Sequence, residues 1–137
     1  MIDTLIYTIQ SAKERGGTVY ICGNGGSAAN AEHLANDLLS RRIRAVCLSS
    51  NVSAITMIAN DYGYEYIFSK QLEVLANPKD LLIMISCSGT SPNIVEASKI
   101  AVPQFKMFGG EGTYGDMETE HLNVIHKVVE GLGEKTL

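Results

Sequence analysis

Five consecutive apolar residues, Leu81-Leu82-Ile83-Met84-Ile85, form the most hydrophobic run of the chain. Before them Asn77-Pro78-Lys79-Asp80 reads as a turn, and after them Ser86–Ser91 is a polar loop. An apolar run this short, without polar alternation, predicts a central strand buried on both faces. Such a strand needs a layer of helices on each side, which fixes what the rest of the chain must supply.

The rest supplies it. Ile2, Leu5, Ile6, Ile9 and Ala12 recur at helical spacing over residues 1–15, and Gly16-Gly17 ends the pattern. Thr18–Cys22 (TVYIC) is a strand candidate that runs into glycines at 23–26. Ala28, Ala31, Leu34, Ala35, Leu38 and Leu39 predict a helix from Ser27 to Ser40, and Arg44–Leu48 a second strand. Asn51–Ala59 and Tyr64–Ala76 read as helices separated by Asn60-Asp61-Tyr62-Gly63. Pro92 suits the first turn of a helix reaching Ala101. Gln104–Phe108 is a weaker strand, Gly109–Gly115 a loop, and Met117–Gly131 a closing helix. Alternating strands and helices predict an α/β three-layer sandwich whose mostly parallel sheet is covered on both faces.

With 137 residues the chain is expected to be one domain, 1–137. A formal charge of -4 argues against a nucleic-acid partner, and no apolar run approaches a membrane span of about 20 residues. Met-Ile-Asp-Thr at the start carries no secretory signal pattern. Cys22, Cys47 and Cys87 are odd in number and widely spaced. They predict free thiols in a reducing cytoplasm, not a disulfide frame or a Cys-x-x-Cys metal site.

Two strand-to-helix loops have the chemistry of an anion site. In Cys22-Gly23-Asn24-Gly25-Gly26-Ser27 the glycines let backbone amides approach a ligand, and the helix start adds unpaired N–H groups. A tight turn without a ligand is the plainer alternative. Gly23-x-Gly25-x-x-Ala28 also fits a loose dinucleotide pattern, but the next strand ends Leu48-Ser49-Ser50-Asn51 without the carboxylate a ribose needs. The second loop, Ser86-Cys87-Ser88-Gly89-Thr90-Ser91, brings four hydroxyls to a helix start, which suits a phosphate monoester without lysine. Its plainer alternative is a turn in which Ser91 caps its own helix. No Gly-Lys-Ser/Thr is present, which excludes a P-loop.

His33 and Asp37 lie four residues apart on the helix that leaves the glycine loop. They form either a surface pair or the core of an acid–base or metal site. Glu118, His121 and His126 share the last helix with the apolar stripe Leu122, Ile125 and Val129, so His121 is expected at the margin of the core. Glu118 and His126 are about 12 Å apart along a straight helix and converge only by reaching toward each other.

CGNGGSAANAEHLANDL (22–38), AITMIANDYGYEYIFSKQLEVL (54–75), SCSGTSPN (86–93) and METEHLNVIH (117–126) together resemble the phosphoheptose isomerases of the sugar isomerase (SIS) family. The resemblance implies a flavodoxin-like SIS fold and conversion of sedoheptulose 7-phosphate, a phosphorylated seven-carbon sugar, into D-glycero-D-manno-heptose 7-phosphate. It puts Asn24, Gly25, Gly26, Ser27, Asn60, Asp61, Ser86, Cys87, Ser88, Ser91 and Glu118 at substrate-binding positions. His33, Asp37, Glu118 and His126 fall at positions associated with zinc, and Asp37 with His126 would be the acid–base pair. It also implies a cytoplasmic homotetramer. In three respects the chain departs from the family's pattern. Asp37 stands for glutamate, Glu118 for glutamine, and the stretch between Ala101 and Asp116 is shorter, which removes material for a strand–helix unit. A SIS protein without isomerase activity, a sugar-phosphate sensor or scaffold, is the alternative these departures leave.

Overall fold

The computed structural model describes residues 1–137. In chain order it contains α1 (Ile2–Glu14), β1 (Val19–Cys22), α2 (Gly26–Leu39), β2 (Ala45–Cys47) and α3 (Val52–Asp61). A 3-10 turn (Tyr64–Tyr66), α4 (Ser69–Leu75), β3 (Leu81–Ser86), α5 (Pro92–Ser98), β4 (Gln104–Phe108) and α6 (Tyr114–Gly131) follow. The strands form one sheet in the order β2-β1-β3-β4, and every pairing is parallel.

β3 lies inside the sheet and all six of its residues are buried, as its unbroken apolar run requires. Its side chains alternate between two cores. Leu81, Ile83 and Ile85 join Val19, Ile21 and Met107 against α1, α2 and α6. Leu82 and Met84 join Tyr20 and Cys22 against Ile58 of α3, Leu72 of α4 and Ile94 and Ala97 of α5. The result is the three-layer sandwich expected from the pattern. Buried Asp80 ties the strands' starts together: it accepts the Thr18 amide at 2.8 Å and the Asn77 amide at 2.7 Å.

The strand order is the flavodoxin-like 2-1-3-4-5 without its fifth strand. Only the loop Gly109–Thr113 separates β4 from α6, which is the physical form of the shortened C-terminal half.

Local differences from the sequence reading have local causes. The helix expected over 64–76 is broken at Ile67-Phe68, where both side chains turn into the core. The helix from Pro92 stops at Ser98 because Gln104 Nε2 donates to the Ser98 and Ile100 carbonyls at 2.8 and 2.9 Å, and Pro103 follows. The last helix begins at Tyr114, three residues earlier than expected, because Thr113 and Asp116 form a reciprocal capping box. His121 lies inside the core at 3% exposure, not at its margin.

Candidate functional site

In an open parallel sheet the crevice for a ligand lies beyond the strands' carboxyl ends, where successive connections leave in opposite directions. Here that point is between β1 and β3, and a cavity of about 120 Å³ opens there. Asn24 and Ser27 line it from the glycine loop, and Ser86, Cys87, Ser88 and Ser91 from the hydroxyl loop. Glu118 completes the wall from α6, together with Tyr114, which the sequence had not marked.

The serines are free for a ligand to different degrees. Ser91 occupies the N-cap of α5 but makes no side-chain cap bond, so its hydroxyl is uncommitted. Ser86 Oγ accepts the Gly89 amide at 2.9 Å and Ser88 Oγ the Thr90 amide at 3.2 Å, which leaves each O–H able to donate elsewhere. Asn24 is held by a reciprocal amide pair: its Nδ2 donates to Asn93 Oδ1 and Asn93 Nδ2 donates back to Asn24 Oδ1, both at 2.8 Å. Asn93 is buried, and its only trace in the sequence was its place after Pro92 in the hydroxyl loop motif. Tyr64 also donates to Asn24 Oδ1, at 3.4 Å.

No lysine or arginine lines the cavity. An anion would therefore be held by hydroxyls and N–H groups. Cys87 contributes a thiol, not a thiolate: burial raises its pKa, the Glu118 carboxylate adds to the rise, and a hydrogen bond with Ser27 only partly offsets it. Glu118 packs against Gly26 at the first turn of α2, so closely that a Cβ on Gly26 would overlap its carboxylate. There its negative charge meets the positive end of the α2 dipole.

Lower in the groove between α2 and α6 a second cluster forms. His33 Nε2 lies 3.1 Å from Asp37 Oδ2, and the His126 ring meets the His33 ring edge-on at a centroid distance of 5.1 Å. The ligand-bearing atoms of His33, Asp37 and His126 all lie within 4.8 Å of one another. Two imidazoles and a carboxylate at this spacing are a donor set suited to zinc with an open position. The third group, arriving from another helix, sets His33–Asp37 apart from an ordinary surface pair. Glu118 does not join this cluster; it stays on the cavity wall, eight residues and about 12 Å before His126 along α6. Asn60 and Asp61 end α3 on the surface, where Asn60 Nδ2 donates to Asp61 Oδ1 at 2.9 Å, and neither lines the cavity.

Residues 1–104 match the SIS domain family. The chain belongs to that family. Its SIS domain is 49% identical over 94 residues to phosphoheptose isomerase 1 of Campylobacter jejuni, an overlap of 64% of this chain and 50% of that protein. It is 42% identical over 107 residues to the phosphoheptose isomerase of Solidesulfovibrio magneticus, covering 74% of this chain and 52% of that one. The chain thus spans about half the length of the curated relatives it matches. In shape the likeness reaches further. The structure of a phosphoheptose isomerase from Neisseria gonorrhoeae superposes with a TM-score of 0.92 at 28% identity, over 96% of this chain and 84% of that one.

Proposed function

We propose that this SIS protein is a phosphoheptose isomerase that interconverts sedoheptulose 7-phosphate and D-glycero-D-manno-heptose 7-phosphate. One observation carries the reading. Asp37 and His126, an acid and a base from distant parts of the sequence, converge with His33 in one groove. The phosphoheptose isomerase relatives support it.

In this reading the hydroxyls of Ser86, Ser88 and Ser91, with Ser27 and Asn24, hold the phosphate, and that binding energy fixes the sugar's C1 and C2. One of Asp37 and His126 moves the proton between these carbons through a cis-enediol, and the other exchanges protons with the two oxygens. A carboxylate and an imidazole suit the task because modest shifts bring their pKa values toward neutrality. His33, Asp37 and His126 would hold a zinc ion, which when bound supplies Lewis-acid polarisation of the carbonyl. Glu118 sits where it can accept hydrogen bonds from sugar hydroxyls. Asn60 and Asp61 belong to the reading only if a neighbouring subunit brings them to the site.

The proposal extends to a single domain over 1–137, a homotetramer and a cytoplasmic location. Leu39 of α2 and Val46 of β2, both exposed and lining one groove beside the edge strand, support the assembly. The three cysteines, all free, support the compartment. No helix is long and apolar enough to cross a membrane.

The test is a pair of variants. Asp37→Asn and His126→Gln should each lower kcat by about 10²–10⁴-fold, the usual contribution of a general acid or base, while calorimetric affinity for the sugar phosphate stays near that of the parent. Loss of binding with kcat preserved would remove them from the proton-transfer step.

A further inference from the structure

His121 is a buried imidazole with one nitrogen in use. Its Nε2 lies 2.7 Å from the Gly109 carbonyl, so Nε2 carries the proton and donates, while Nδ1 is buried with no hydrogen-bond partner. A leucine would fill this place beside Val124 and Ile125 and remove the unsatisfied Nδ1. What leucine cannot supply is the hydrogen bond to Gly109.

That bond holds the segment standing where a fifth strand is missing. Gly109, Gly110 and Gly112 all adopt positive φ, so the loop has little stiffness of its own. It is fastened at three places. The Gly109 amide donates to the Ser86 carbonyl at 2.9 Å, His121 holds the Gly109 carbonyl, and the Thr113–Asp116 box fixes the far end. Tyr114 follows directly, lines the cavity, and receives the Cys87 thiol on its carbonyl at 3.7 Å.

We infer that His121 is a positioning residue: through Gly109 it holds the loop that sets Tyr114 as a wall of the sugar-phosphate cavity. The ligand class rests on the isomerase reading above; the mechanical role does not. Tyr114 thereby shapes the site on the side where the chain is short, and His121 acts on substrate only through it.

Cys87 offers a readout that needs no substrate, because Cys22 and Cys47 are buried and Cys87 is half-exposed beside Tyr114. In His121→Leu, iodoacetamide should alkylate Cys87 roughly 3- to 10-fold faster, the range that loss of one hydrogen bond allows when it makes local opening easier. KM for sedoheptulose 7-phosphate should rise by a similar factor with kcat little changed, and the melting temperature should hold or increase. His121→Gln, whose amide nitrogen reaches the position of Nε2, should restore both the labelling rate and KM. Should His121→Leu fail to fold, His121→Asn, polar but too short to reach Gly109, takes its place with the same expectation. In a Tyr114→Ala background the effect of His121→Leu on KM should vanish, because the wall it positions is gone. Unchanged Cys87 labelling in the His121 variants would overturn the inference. If the parent protein neither binds nor converts the sugar phosphate, the isomerase reading falls, and the labelling still decides the role of His121.

Discussion

Ser91 stands at the N-cap of α5 without giving its hydroxyl to the helix, whereas Thr113 at the N-cap of α6 accepts the Asp116 amide at 3.1 Å. The two positions look alike in sequence, and a serine before a Pro-started helix is as good a cap as a ligand-binding group. The difference lies in where the hydroxyl points, and it yields a clean separation. Ser88→Ala with Ser91→Ala should weaken sugar-phosphate binding by about 1–3 kcal/mol, the worth of hydrogen bonds to a charged group. Thermal stability should change little, because Ser91 caps nothing and Ser88 accepts only the exposed Thr90 amide at 3.2 Å. A drop in melting temperature with unchanged calorimetric affinity would return Ser91 to a structural role. Asp37 is a second residue whose identity matters to one methylene. His33 holds its carboxylate at 3.1 Å, so the short side chain is already engaged. Asp37→Glu should therefore crowd the cluster and lower kcat; a rise in kcat would mean that the shorter acid is a loss this chain has not compensated.

At the scale of elements, the segment 86–116 combines the hydroxyl loop with the turn that replaces a strand. Gly89 shows how tightly they pack: its φ is 70° and a Cβ there would come within 2.8 Å of the Phe108 ring. Gly89→Ala should cost roughly 1–2 kcal/mol in chemical denaturation, from left-handed backbone strain, and should also impair sugar-phosphate binding by shifting the loop. The capping box of α6 is open to a similar measurement. Thr113→Ala should cost about 1 kcal/mol, the usual worth of an N-cap side chain. Hydrogen bonds from the Thr113 backbone and side chain hold the Asp116 carboxyl below the ordinary aspartate range. A lowered folded-state pKa means that this stabilisation is complete above the ordinary aspartate pKa and is lost as pH falls through the lower one. The destabilisation caused by Asp116→Asn should accordingly shrink at acidic pH, which melting curves across that range would reveal.

Across the whole molecule, what could be read from the sequence was local: unbroken apolar runs, helical stripes and loop chemistry. LLIMI, TVYIC and the helical stripes of α1 and α2 placed the sheet and its two layers, because burial on both faces leaves few other arrangements. The glycine and hydroxyl loops were legible because their residue types have few uses at a strand-to-helix junction. Three kinds of fact were not. Asn93 pairs with Asn24 across the switch point, a contact between residues far apart in sequence that no period encodes. The break at Ile67-Phe68 follows from two neighbouring side chains both entering the core. Glu118 and His126, on one helix, serve separate places, and only the packing of α6 on α2 decides which. Light scattering at micromolar concentration should give the proposed tetramer, and a monomer would contradict any site shared between subunits. Purified protein should convert sedoheptulose 7-phosphate to its aldose isomer, faster with zinc supplied than after chelation. Tight binding of the sugar phosphate with no conversion, with or without zinc, would contradict the isomerase reading and leave a binding protein in its place.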